Sequence, residues 1–492
     1  LSIFSATFWL LLLRWFSRGL GIIRTIVLAA VLSPEEYGIG VFALTIVLFL
    51  ESASQVSGNY LLIRTSETAK EFYDAAWTLE VLRGAGIAAI IVFGAGAISH
   101  FFEEDRLSDL LYLLGASMFI GSLSNIGMAE FMRDLSFSQN FVLGAGSRVI
   151  GFLCSVTVAV IYQTYWAIAV GYSVQQVSRL VISYRMHPYR PRLRLSGIGA
   201  HFEHSKWLLV QSVLFQVILR ADIIVIGKIL GPIALAPYHI AKMVTELFGA
   251  EIATAVKSSL FPAFSHRNEG NVSVSQFVSA QLSVVCIGAP LCIFLGAFSE
   301  DIVILFLTDK WHSVAPLVTI LVWSAIGTLV ASAPGALLLA RGLTRLVALR
   351  QLLGVLVFVP GLLLFIGPYG SVGAAAVVSV TSWISAFAVT YFALREIEGT
   401  WRDVILPSMR LTLLLVLFLF VLLGLDAMLP EVKAQGMSPL LFIRLGCLFF
   451  LSMLSLLPMG YILWLRSNRP ASYEVKIWGL VAVVRKLVQS KR

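Results

Sequence analysis

FWLLLLRWFSRGLGIIRTIVLAAVL, running from Phe8 to Leu32, is long and apolar enough to cross a bilayer, yet it carries Arg14, Arg18 and Arg24. At about 100° per residue, Arg18 lies roughly 40° from Arg14 and Arg24 roughly 80° to its other side. All three therefore share one half of the helix surface. An arginine at membrane depth costs at least about 2.5 to 3.5 kcal/mol, so that half should line a watery cavity or meet an anion rather than lipid. The stretch is too long and too arginine-rich for a signal-peptide core and reads as a retained signal anchor. It points to a carrier of an anionic substrate.

The rest of the chain agrees with a membrane setting. Of 492 residues, 58% are hydrophobic and 13% charged, and the mean hydropathy is +0.89, which a soluble domain cannot bury. Apolar runs of bilayer length give about fourteen spans: Phe8–Leu32, Tyr37–Leu62, Ala76–Ile98, Leu107–Phe131, Asn140–Tyr162, Tyr165–Arg185, Trp207–Leu230, Ile233–Val256, Phe277–Phe298, Ala315–Ala340, Leu346–Ile366, Val372–Leu394, Leu406–Leu425 and Leu440–Leu465. The net charge of +9 does not imply nucleic acid, because the basic residues sit in short connections. Arg64, Lys70, Arg133, Arg185, Arg190, Arg192, Arg194, Arg341 and Arg345 fall in one set of connections, and only Arg106, Lys228, Lys310 and Lys433 in the other. This asymmetry predicts both termini in the cytoplasm.

The basic segment 187–206 reads as a cytoplasmic linker between an N-terminal six-helix lobe, 1–186, and a C-terminal six-helix lobe, 207–395. Two additional helices follow at 396–466, then a cytoplasmic amphipathic tail at 467–492. Leu32-Ser33-Pro34 with Tyr37 is echoed by Leu230-Gly231-Pro232 with Tyr238, six spans later, as parallel repeats would require. Cys154, Cys286, Cys292 and Cys447 all lie inside spans without metal-ligand spacing, which predicts neither disulfides nor a metal site. No phosphate-binding G-x-x-x-x-G-K-[ST], no H-E-x-x-H and no G-x-S-x-G occurs, so the reading is a secondary transporter and not an enzyme. The Gly-Ala-Gly triplets at 84–86, 94–96 and 144–146 read as close helix packing.

Arg18-Gly19-Leu20-Gly21-Ile22-Ile23-Arg24 followed by Leu32-Ser33-Pro34-Glu35-Glu36-Tyr37-Gly38 resembles the opening of the Wzx-like oligosaccharide and polysaccharide flippases, within the multidrug/oligosaccharidyl-lipid/polysaccharide exporter superfamily. Arg133-Asp134-Leu135-Ser136-Phe137, Trp166 through Gly171, and His187-Pro188-Tyr189-Arg190-Pro191 are similar to its exopolysaccharide and colanic-acid-type branch. Arg220-Ala221-Asp222, Tyr238 through Lys242 and Phe261-Pro262 are similar to the family's seventh and eighth spans. The spacing between Pro232 and Tyr238 departs from the simpler turn expected there. The resemblance implies an all-α polytopic fold of two pseudo-symmetric six-helix bundles around a central cavity, plus two C-terminal helices. It also implies a substrate, an undecaprenyl-pyrophosphate-linked oligosaccharide repeat unit, flipped across a bacterial inner membrane by alternating access. Polysaccharide polymerase and chain-length machinery are the implied protein partners, with membrane lipids around them and no nucleic acid.

Such a substrate needs cations for its diphosphate. Arg14, Arg18, Arg24, Arg83, Arg148, Arg179 and Arg220 are the candidates, since guanidinium matches phosphate oxygens in a planar fork. Each has a plainer alternative: Glu80 three residues before Arg83 can pair with it, Arg179 can snorkel to the interface, and Asp222 lies two residues after Arg220. Glu51, Asp222, Glu246 and Glu251 are the candidates for coupling to a proton or sodium gradient, although Glu246 can instead pair with Lys242 one turn away. No cofactor, no catalytic residue and no metal ligand is predicted. The glycan is expected to meet Gln55, Asn59, Tyr60, Asn125, Tyr172 and Gln175. Two rivals share the architecture: an exporter of organic cations, which would want acids where this chain places arginines, and a flippase of a peptidoglycan lipid precursor.

Overall fold

A computed structural model describes residues 3–54, 70–134, 136–194, 198–265, 272–307, 309–430 and 438–466. Among them the regular structure is entirely helical. The first seven long helices are α1 Ile3–Val31, α2 Pro34–Ala53, α3 Lys70–Phe102, α4 Arg106–Ser122, α5 Phe137–Tyr162, α6 Trp166–Met186 and α7 Ile198–Ile229. After them come α8 Gly231–Ser265, α9 Val274–Ala297 and α10 Val314–Ala340. Helices α11 (344–369) and α12 (371–396) meet at a kink where Gly370 takes φ 60°, a left-handed value that glycine adopts without strain. Helices α13 Trp401–Met428 and α14 Pro439–Arg466 complete the set. These correspond one for one to the apolar runs of the sequence, and the protein is an all-α polytopic membrane protein. Eight stretches are long and apolar enough by length and composition alone to span a membrane, the α11–α12 run counting as one. The others, α1, α4, α6, α7 and α8, are shorter or carry the arginines, amides and acids on which the site depends.

Local chemistry fixes the helix starts. Ser33 accepts a hydrogen bond from the Glu36 backbone at 3.2 Å, Pro34 fills the first turn, and Glu35 and Glu36 face the positive end of the α2 dipole. At α13, Thr400 and Asp403 form a reciprocal capping box.

Two expectations are corrected. Span four was expected to run from Leu107 to Phe131, but α4 stops at Ser122 and the chain re-enters a short helix only at Met128–Arg133. The break is held by Asn125, whose backbone N–H donates to Ser183 Oγ at 3.0 Å and whose side-chain N–H groups donate to the His187 carbonyl at 3.2 Å and the Tyr189 carbonyl at 2.7 Å. Gly127 is required there, since a Cβ would fall 2.3 Å from His187 Nδ1. The second difference concerns the lobes. The chain divides into compact units Leu1–Ala236 and Pro237–Arg492, so the basic segment 187–206 falls within the first unit and not between two. The reason is that α7 packs along α2, with Gly227 against the Phe42 ring.

Within the first unit, His187–Arg194 forms an extended strap across the ends of α3, α4 and α6. Buried Asp74 accepts from Tyr189 Oη at 2.6 Å and from the Arg192 N–H at 2.8 Å, and Thr78 Oγ1 accepts from the Arg194 N–H at 2.8 Å. Burial, and then the Asp74 acceptor, raise the Tyr189 phenol above its ordinary value. In the second unit, Phe298, Leu305, Phe418, Leu422, Leu441, Leu445 and Leu448 form one core that fastens α13 and α14 to the end of α9 and the short helix Ser299–Phe306. The expected end of span two, with Gln55, Asn59 and Tyr60, and the amphipathic tail at 467–492 lie outside the described residues.

Candidate functional site

Helix α1 separates its arginines from its lipid-like face. Phe8, Leu11, Trp15, Phe16 and Ile23 are exposed and cluster on one side, whereas Arg14, Arg18 and Arg24 are half-buried and lie in the opposite sector. Packing against α5 borders that sector: Trp9 and Phe16 hold the Phe141 ring at centroid distances of 5.3 and 5.9 Å. Gly144 lets Leu13 approach, since a Cβ there would sit 3.0 Å from its methyl group. Beyond this seam, Arg148 of α5 reaches across and donates from Nη1 to Ser17 Oγ at 2.7 Å. Arg179 of α6 is close enough for the two charges to repel. Among the described residues neither Arg148 nor Arg179 has a carboxylate partner. Arg24 lies within electrostatic reach of buried Tyr37, whose hydroxyl bonds Thr25.

A cavity of about 160 Å³ opens between α2, α3, α4, α5 and α6 of the same unit. It brings together three of the predicted residues, Glu51, Arg83 and Arg179, and one predicted glycan contact, Asn125. Arg83 donates from Nε to Glu80 Oε2 at 3.1 Å and makes a second contact from Nη2 to Glu80 Oε1. Its remaining nitrogen, Nη1, donates to the Glu51 carbonyl at 3.2 Å and to Ser54 Oγ at 3.1 Å, which satisfies the last turn of α2. The i, i+3 partner anticipated from the sequence is therefore present, and the same guanidinium also clamps α2 to α3. Tyr172 donates to Glu51 Oε2 at 3.1 Å while accepting from Gln176 Nε2 at 2.7 Å. Asn140, Gln176 and Glu80 line the cavity too; they belong to no motif, and only the fold collects them.

The other predicted residues lie apart from this cavity. Arg220 donates from Nε to Gln216 Oε1 at 3.1 Å, one turn back on α7, and Asp222 is wholly buried beside it. Glu246 and Glu251 belong to α8 in the second unit, Glu251 buried and Glu246 half-buried. Glu103 and Glu104 turn the basic residues at the opposite end of the first unit into ion pairs: Lys228 Nζ meets Glu103 Oε1 at 2.7 Å, and Arg106 meets Glu104 at 2.6 Å and Glu35 at 2.8 Å.

Fold and site together define a multi-pass helical membrane protein that gathers arginines and amides inside its first bundle. A family model described as "Polysaccharide biosynthesis protein" matches residues 27–316, more than half of the chain, and the chain belongs to that family. Among curated relatives it is 22% identical over 386 residues, 77% of this chain and 80% of the other, to an uncharacterized membrane protein in the cps region of Klebsiella pneumoniae. It is 21% identical over 394 residues, 79% of this chain and 80% of the other, to the lipopolysaccharide biosynthesis protein WzxC of Escherichia coli K12. Among solved structures it is similar to the lipid II flippase MurJ in an inward closed conformation, with a TM-score of 0.72, 16% identity, and coverage of 93% of this chain and 99% of that one. An inward-facing multidrug resistance transporter of the MATE family superposes with a TM-score of 0.59 at 14% identity over 77% of this chain and 94% of that one. At these identities the structural likenesses speak for the fold.

Proposed function

We propose that this protein is a flippase that moves undecaprenyl-pyrophosphate-linked oligosaccharide repeat units across a bacterial inner membrane for assembly of a surface polysaccharide. Repeat units are taken from the cytoplasmic leaflet and released in the periplasmic one, both termini being cytoplasmic. The observation that carries this reading is the pair Arg148 and Arg179, two guanidinium groups within electrostatic range of each other and without a carboxylate among the described residues. Such an arrangement calls for an anion, and a diphosphate suits the planar fork of arginine. Arg14, Arg18 and Arg24 extend the same chemistry along α1, and the opposite sign of charge would suit an exporter of organic cations. Family membership and the names of WzxC and MurJ support the lipid-linked substrate.

Movement is by alternating access of the two lobes without ATP hydrolysis, with Glu51, Asp222, Glu246 and Glu251 as the acids available for a proton or sodium ion. Polysaccharide polymerase and chain-length proteins take up the product. The test is deletion of the gene in its host. Lipid-linked repeat units should accumulate in the inner leaflet and surface polysaccharide should disappear, and continued export without accumulation would overturn the proposal.

A further inference from the structure

The cavity at Glu51 carries charges that do not suit a phosphate. Its wall holds two carboxyl groups, Glu51 and Glu80, against two guanidinium groups, Arg83 and Arg179. Arg83 is fully engaged by Glu80, the Glu51 carbonyl and Ser54. That leaves Arg179 facing Glu51, with no surplus of positive charge for a ligand that is itself anionic and offers only acceptors.

What the wall does offer is a mixed set of unfilled hydrogen-bonding positions. Asn140 Nδ2 is buried and donates to nothing among the described residues. Gln176 spends its amide N–H on Tyr172 and leaves its carbonyl oxygen free, and Glu51 uses one carboxyl oxygen for Tyr172 and leaves the other. A donor left buried without a partner costs free energy, so its presence in a cavity wall asks for an occupant that can accept. The free carbonyl and carboxyl oxygens ask the same occupant to donate. An uncharged ring bearing several hydroxyl groups answers both demands, because each hydroxyl donates and accepts. Size agrees, since a cavity of roughly 150 Å³ holds a single six-membered ring, and this one encloses about 160 Å³.

We propose that this cavity is a specificity pocket for one uncharged sugar ring, with Asn140, Gln176 and Glu51 as the residues that read its hydroxyl groups. The assignment rests on the carrier function above and divides its labour: the arginine sector of α1 and α5 takes the diphosphate, and the pocket takes a sugar of the repeat unit. Arg83 is a positioning residue here, holding the α2 end so that Glu51 faces the ring.

The experiment uses the full-length protein in lipid nanodiscs and two probes, undecaprenyl pyrophosphate and undecaprenyl pyrophosphate carrying one hexose, with affinities read by native mass spectrometry. The wild type should bind the hexosylated lipid about tenfold more tightly, the gain expected from one or two net hydrogen bonds. Asn140→Leu and Gln176→Met should each bind the hexosylated lipid only as tightly as the wild type binds the bare one. Equal affinity of the wild type for both probes, or a preference that survives both substitutions, overturns the pocket and leaves the carrier function standing. Failure of the wild type to bind either probe overturns the carrier function itself. If one variant does not reach the membrane, the wild-type comparison and the other variant still decide.

Discussion

Replacing Arg148 separates a structural arginine from a substrate-binding one, because its one protein partner can be removed independently. The side chain is half-buried and donates a single hydrogen bond to Ser17 Oγ at 2.7 Å. A hydrogen bond from a charged group contributes about 1.5 to 3 kcal/mol at most. Partial exposure discounts that figure, and Arg148→Gln also relieves repulsion from Arg179. The net loss of stability should therefore be about 1 kcal/mol, too little to empty the membrane of protein. Losing a guanidinium that grips a phosphate costs about 2 to 5 kcal/mol, at least about a thirtyfold loss in substrate affinity. The assay is complementation of a deletion strain, with membrane abundance and surface polysaccharide measured side by side. Arg148→Gln should keep its abundance and lose export, and Arg148→Lys should recover part of it, since ammonium keeps the charge without the fork. Ser17→Ala removes the protein contact but keeps the cation and should export almost normally. Normal export by Arg148→Gln, or equal damage from Ser17→Ala, would refute the reasoning.

Gly38→Ala should lower membrane abundance sharply, because its Cβ would fall 2.1 Å from the Pro232 carbonyl oxygen, backbone against backbone with nothing free to move; quantitative immunoblotting checks it, and overpacking of this kind costs about 1 to 3 kcal/mol. Arg444, only 12% exposed, bonds Asp426 at 2.5 Å with Asp301 at 3.9 Å. Arg444→Met should lower the thermal midpoint of the purified protein, by about 2 kcal/mol since both acids keep some solvent, and Arg444→Met with Asp426→Leu should recover most of it. Lys228, first by its hydrogen bond and then by its charge, holds the Glu103 carboxyl below its ordinary value of 4.5. The folded state therefore gains from this link above the unfolded value, and the gain disappears as pH falls through the lowered one. A thermal series taken downward through that range should show the loss, and Glu103→Gln should remove that part of the slope.

Where an apolar run is of bilayer length, the sequence is enough to find the helix, and Ser33-Pro34 and Thr400 mark starts by chemistry confined to one turn. The break after Ser122 is of another kind. Its flanks are as apolar as any span, and the contacts that open the helix come from His187 and Tyr189, some sixty residues away, so no local pattern announces it. The same holds for the unit boundary after Ala236, which depends on Gly227 admitting Phe42. Arg83 was half legible: Glu80 is visible at i−3, whereas the grip on the Glu51 carbonyl exists only once α2 and α3 are side by side.

Asn140 and Gln176 illustrate why a polar pocket is harder to read than a charged one. An arginine inside an apolar run is conspicuous because its cost in lipid demands a reason, whereas a single amide in a span is cheap enough to pass as packing. Their neutrality is also what the chemistry of a glycolipid carrier requires. If free cations lined the sugar pocket, the diphosphate would bind there instead, and the two ends of one substrate would compete for one site. Pairing Arg83 with Glu80 removes that competition while keeping a rigid wall, and leaves Arg148, held only by a serine hydroxyl, as the cation best disposed to exchange its partner for phosphate. Placing spent charge in the cavity and available charge beside it is therefore a means by which one bundle can tell the sugar end of its substrate from the phosphate end.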